Sequence, residues 1–119
     1  MEDYIVREID RIGEMLMLIA RKLGLLDDEK PDYSLADVEA EFTKSGCPID
    51  LDKILQQENP VLYLVEEKKL SDHGLETMID ILFHSDLAED RKQTLLSDAL
   101  AYLEGKGYFS FRLQSLRSN

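Results

Sequence analysis

The sequence predicts an all-α chain: a helical bundle in which a long N-terminal helix packs on a TPR-like stack of helical hairpins. Three observations carry this expectation. Apolar residues recur at helical spacing from Ile5 to Leu26 and again through the last third of the chain. Residues suited to capping, Ser34, Asp50, Asn59 and Ser71, stand immediately before the apolar runs. The two segments that alternate or cluster like strands, 61–65 and 108–116, each lack a convincing strand to pair with. A length of 119 residues suits one domain, 1–119, with the long helix in 1–26 and the bundle in 34–119, TPR-like from about residue 71.

The first element is the clearest. Ile5, Ile9, Ile12, Leu16, Ile19, Leu23 and Leu26 are spaced 4, 3, 4, 3, 4 and 3 apart, a heptad seam. The spacing predicts a helix over Asp3–Leu23, ended by Gly24, which accepts the left-handed conformation. From Met15 to Ala20 the helix is apolar all round, which asks for cover on every side. Pro31 breaks the polar connection that follows. Ser34 and Asp37 have capping-box spacing, so a helix bearing Leu35, Val38 and Phe42 runs to about Lys44, before Gly46 and Pro48. Asp50 caps a short helix with Leu51, Ile54 and Leu55. Asn59-Pro60 opens another, with proline at the first helical position. Segment 61–65 is therefore expected to be helical.

The last third reads as a hairpin with a third helix beside it. Ser71 caps a helix whose inner face is Leu75, Met78, Ile79 and Leu82. Ser85-Asp86 marks a turn. A longer helix over about 88–104 turns Leu95, Leu96, Ala99, Leu100 and Leu103 inward. Gly105-Lys106-Gly107 ends it, and a final helix places Phe109, Leu113 and Leu116 on its core side.

Charge and composition narrow the function. Lys and Arg total 14 against 25 Asp and Glu, a net charge of −11, and 44% of residues are hydrophobic. Such a chain folds without metal or disulfide, and its field repels phosphate. No nucleic-acid or membrane partner is expected. The start, Met1-Glu2-Asp3-Tyr4, is acidic rather than the basic opening of a signal peptide, and Cys47 has no partner cysteine, so a cytoplasmic protein is expected. The charge is uneven. Window 27–52 holds nine acidic residues against Lys30 and Lys44, while the last fifteen residues hold Lys106, Arg112 and Arg117 and no acid.

Chemistry-bearing residues are few. His73, Glu76, Asp80 and His84 share a face of the Ser71-capped helix at spacings of 3, 4 and 4. They are weak metal candidates, because His73 and His84 stand about 16 Å apart along a helix axis and cannot share one ion. The plain expectation is the solvated side of an amphipathic helix. Cys47, beside Pro48, has only Lys44 nearby to lower its pKa and is expected to be unreactive. The acidic window lacks the EF-hand spacing. Tyr108, Phe109 and Phe111 lie among the C-terminal cations, but core packing accounts for them better than binding of single-stranded nucleic acid. No phosphate loop, nucleophile elbow or Cys-x2-Cys pair is present. No cofactor and no catalytic residue is expected.

Asp3-Tyr4-Ile5-Val6-Arg7-Glu8-Ile9 resembles the opening of a group of small uncharacterised bacterial proteins, a domain-of-unknown-function family with a TPR-like C-terminal half. Ile49-Asp50-Leu51-Asp52-Lys53-Ile54-Leu55 is similar to their middle segment. The resemblance implies an all-helical bacterial protein and brings no catalytic residues. The function expected from the residues is a non-catalytic protein–protein interaction module, a homodimer formed through the N-terminal helix. Its surface is Ile5, Ile9, Ile12, Met15, Leu16, Met17, Leu18, Ile19 and Leu23, with the surplus at Met15, Met17 and Leu18 shared between chains. The alternative is a small metal-binding protein or enzyme using the His73–His84 face.

Overall fold

A computed structural model describes residues 2–25 and 31–117, with the side chains of the first helix described from Arg11 onward. Among the described residues the chain forms seven α-helices and no strand: α1 Glu2–Lys22, α2 Leu35–Ser45, α3 Leu51–Leu55, α4 Pro60–Glu66, α5 Asp72–Phe83, α6 Glu89–Gly105 and α7 Phe111–Arg117. The chain is an all-α bundle, and no helix among the described residues is long and apolar enough to cross a membrane. Segment 61–65 is helical within α4. Leu26, the last residue of the seam, and the acidic residues Asp27, Asp28 and Glu29 lie outside the described residues, as do the side chains of Ile5 and Ile9.

Local chemistry explains the boundaries. Ser34 and Asp37 close a reciprocal capping box on α2, in which each side chain accepts from the other's backbone N–H, at 3.2 and 3.0 Å. Gly46, at φ 68°, ends α2 in the left-handed conformation. Asp50, Asn59 and Ser71 accept from Lys53, Leu62 and Gly74 backbone N–H groups at the starts of α3, α4 and α5. Ser110 Oγ accepts from Leu113 N–H at 3.1 Å and starts α7. Gly24 adopts a φ of 83° just past the end of α1.

The seven helices surround one cluster of buried apolar side chains, from Leu16 and Ile19 on α1 to Leu113 on α7. Its hub is α5, which packs against α1, α4, α6 and α7. Every residue of α5 from Gly74 to Leu82 is buried. Helices α5 and α6 form the expected hairpin, and α7 lies against both. Two glycines meet where α1 crosses α5. A Cβ on Gly13 would stand 3.6 Å from Gly74 Cα, and one on Gly74 3.5 Å from Gly13 Cα.

Two long-range bonds tie the start of α2 to the far end of α5. Asp86 Oδ1, in the α5–α6 turn, accepts from Leu35 N–H at 2.8 Å. Tyr33 OH donates to the Ile81 carbonyl at 2.6 Å, serving one of the carbonyls that the end of α5 leaves open. Burial, and behind it the charge of Asp80, push the Tyr33 phenol well above its usual pKa, so it remains a donor. Tyr33→Phe leaves that carbonyl without its donor. The expected loss is about 1–2 kcal/mol in urea unfolding, with an unchanged slope.

Two expectations require correction, on α5 and on the C-terminal aromatics, whereas Met15–Ala20 keeps in one chain the apolar surplus expected of it: Leu16, Ile19 and Ala20 are fully buried, Met15 and Met17 are half-buried, and Leu18 remains 55% exposed. One short helix meets neighbours on one side only, and α5 with α2 supply that side. The polar side of α5 is not solvated: Glu76 and Asp80 are 8% and 4% exposed. Two of the C-terminal aromatics are not core residues: Phe109 and Phe111 are 59% and 80% exposed, while Leu113 goes inward and Tyr108 packs against the core. Ser110 starts α7 later than the apolar alternation suggests, which turns both rings outward.

Candidate functional site

The polar side of α5 is roofed by the C-terminal segment, and the two are joined by charge. Glu76 Oε1 meets His73 Nδ1 at 3.1 Å and accepts from Tyr108 OH at 3.5 Å, while its Oε2 accepts from Ser110 Oγ. Asp80 Oδ1 meets His84 Nδ1 at 3.1 Å, and Asp80 Oδ2 meets Arg112 Nε at 3.2 Å. One turn earlier, Lys106 Nζ reaches Asp72 Oδ1 at 2.8 Å. Both histidines of the chain thus sit on buried carboxylates, each from one helical turn away.

The order follows from local structure. Helix α5 sets Asp72, Glu76 and Asp80 four residues apart along one face, and Lys106, Tyr108, Ser110 and Arg112 meet them in sequence. Ser110 both caps α7 and donates to Glu76. The bond to the Asp80 carboxylate raises the His84 pKa, against an opposing push from partial burial. Burial and the nearby Glu76 charge push the Tyr108 phenol up.

This arrangement holds helices together and leaves little for chemistry. All four oxygens of Glu76 and Asp80 have partners from the chain. His73 pairs with Glu76 and His84 with Asp80, so the four weak metal candidates stand as two separate pairs. His84 Nδ1 also meets its own helix at the Asp80 carbonyl, 2.9 Å away. Among the described residues no serine, threonine or cysteine hydrogen-bonds His84, so a nucleophile and base are not assembled there.

Three further groups stand out. Glu39, Asp50 and Asp52 bring carboxylate oxygens within 4.8 Å of one another on the exposed side of α2 and α3. Phe109 and Phe111 pack edge to face in solvent, with centroids 4.8 Å apart. Cys47 is half-buried beside the end of α2, and burial pushes its thiol up to about 11. Folding should therefore slow its alkylation at neutral pH on the order of 100-fold relative to the denatured chain, because the thiolate is the reacting form. A native rate equal to the denatured rate, measured with a small thiol reagent, would contradict this.

On α1, the surface residues expected from the sequence separate into two groups. Leu16 and Ile19 face the core, with Ile12 and Leu23 packed against it. Leu18 faces solvent. No family model, no curated protein and no solved structure matches this chain.

The roof of α5 is what sequence reading missed. A signal for it was present: the acidic run of 72–80 holds no lysine or arginine, and the basic run of 106–112 holds no acid. Matching those two runs would have paired them within one chain. Their engagement also leaves the C-terminal cations Lys106 and Arg112 bound internally, away from an outside partner.

Proposed function

We propose that this chain is a non-catalytic protein–protein interaction module that self-associates through α1. The supporting observation is Leu18, 55% exposed on a helix whose opposite side is fully engaged in the core. Half-buried Met15 and Met17 flank it, and their flexible thioether side chains adapt to an irregular partner. The closed carboxylates of α5 favour a structural role for the polar cluster over a metal site or an active site. On the same proposal the protein is bacterial, as the resemblance of its first helix implies, it is cytoplasmic, as its lone cysteine suggests, and α5–α7 form a TPR-like stack.

Light scattering coupled to gel filtration tests this. The expected result is a dimer at micromolar concentration that Leu18→Asp converts to monomer. Because Leu18 is exposed, the substitution should leave helicity unchanged and shift melting only by the loss of association. A wild-type chain that is monomeric throughout would overturn the proposal.

A further inference from the structure

We infer that the surface a second copy presents to α1 is its own acidic cleft on α2 and α3, with the cations around Leu18 set against Glu39, Asp50 and Asp52; this rests on self-association through α1. Both sides of the contact are visible in one chain. On α1, Leu18 is surrounded at helical spacing by Arg11, Glu14, Arg21 and Lys22, all exposed. Three of these four charges are positive, on a chain of net charge −11. Arg11, Arg21 and Lys22 form no ion pair among the described residues, whereas Lys106 and Arg112 are engaged on α5. Unengaged positive charge thus flanks the exposed leucine, as it also stands at Lys53, Lys68 and Lys69 elsewhere on the surface.

The complement lies across α2 and the start of α3. Glu39, Asp50 and Asp52 are exposed, and their oxygens converge within 4.8 Å. Among the described residues none of the three meets a lysine or arginine at ion-pair distance. Three carboxylates so close repel one another, and an approaching cation relieves that repulsion. Beside them opens a cleft of about 410 Å³ whose lining includes Glu39, Asp50, Phe42, Cys47 and Ile49. A patch with a basic surround therefore faces a largely polar cleft with an acidic rim. Complementary charge of this kind sets the orientation of a small interface.

One chain cannot satisfy itself this way. Helix α1 packs its opposite face on α5 and α2 and holds Leu18 outward. A second copy carries the same two surfaces and needs no further component.

Charge reversal on each side, followed by mixing, tests the pairing in the full chain. One variant carries Arg21→Glu with Lys22→Glu. The other carries Glu39→Lys with Asp52→Lys and keeps Asp50, which caps α3. Each alone is expected to be monomeric by light scattering at concentrations where the wild type associates, and the equimolar mixture to associate again. Wild-type association should weaken steeply with added salt. Circular dichroism and melting of each variant establish that it is folded. Two outcomes overturn the pairing while leaving self-association standing: both variants associate like the wild type, or they lose association and the mixture fails to restore it while Leu18→Asp also abolishes it. A monomeric wild type overturns both proposals.

Discussion

Arg112→Met is expected to destabilise the protein by about 2–3 kcal/mol near pH 8, and by less near pH 6. Methionine keeps the apolar stem of the arginine and removes its charge. What remains is Asp80, almost fully buried, with His84 as its one cationic partner. Breaking a buried pair by removing one member ordinarily costs about 3–5 kcal/mol, and His84 offsets part of that. The offset depends on protonation. Because the folded-state pKa of His84 is raised, its stabilising contribution is complete below about pH 6.5, its unfolded value, and is lost as pH rises through the folded value. In the wild type Arg112 remains on Asp80 above that range, so stability declines gently. In Arg112→Met nothing replaces the imidazolium, so the decline is steeper. Urea unfolding at a series of pH values reads both slopes. Parallel curves for the two proteins would show that His84 and Arg112 do not share Asp80 as described.

Gly13→Leu is expected to cost about 2–3 kcal/mol, whereas Gly13→Ala is expected to be neutral or stabilising by up to about 1 kcal/mol. A Cβ at Gly13 would meet Ser71 Oγ at 3.5 Å and Gly74 Cα at 3.6 Å, ordinary contact distances. Alanine therefore fits, and it adds helix propensity. Leucine does not fit, because the facing atoms belong to the α5 backbone and to its cap. At Gly74 the margin is smaller. A Cβ there stands 3.2 Å from Ser71 Oγ, the oxygen that accepts from Gly74 N–H. Gly74→Ala should therefore disturb the cap and cost about 0.5–1 kcal/mol. Thermal melting of the three variants orders them, and a Gly13→Leu variant as stable as Gly13→Ala would show that α1 does not cross α5 at this point.

These two expectations draw on features of unequal legibility. The helix starts were readable because capping is local: Ser34, Asp50, Asn59 and Ser71 each act within three residues of themselves. So was the inner face of α6, where Leu95, Leu96, Ala99, Leu100 and Leu103 repeat at helical spacing and are all buried. The Gly13–Gly74 contact was not readable, since nothing in either neighbourhood says that two glycines 61 positions apart meet. Glu76 and Asp80 looked solvated for a related reason. Carboxylates are seldom buried, and their burial becomes tolerable only through Tyr108, Ser110 and Arg112, more than thirty residues downstream. Phe109 and Phe111 misled in the opposite direction. Their hydrophobicity argued for the core, but Ser110 is held by Glu76 and turns the rings away from it.

By itself, the sequence determined that this chain is helical, where most of its helices begin, and which apolar side of α6 faces inward. Caps, breakers and a 3.6-residue period act over a few residues, so each can be read in place. Tertiary structure alone decided that α5 is the hub, that its acidic side is closed by the C-terminal cations, and that Leu18 and the two phenylalanines remain in solvent. Burial is a property of what lies opposite, and those neighbours are brought together only when the helices pack.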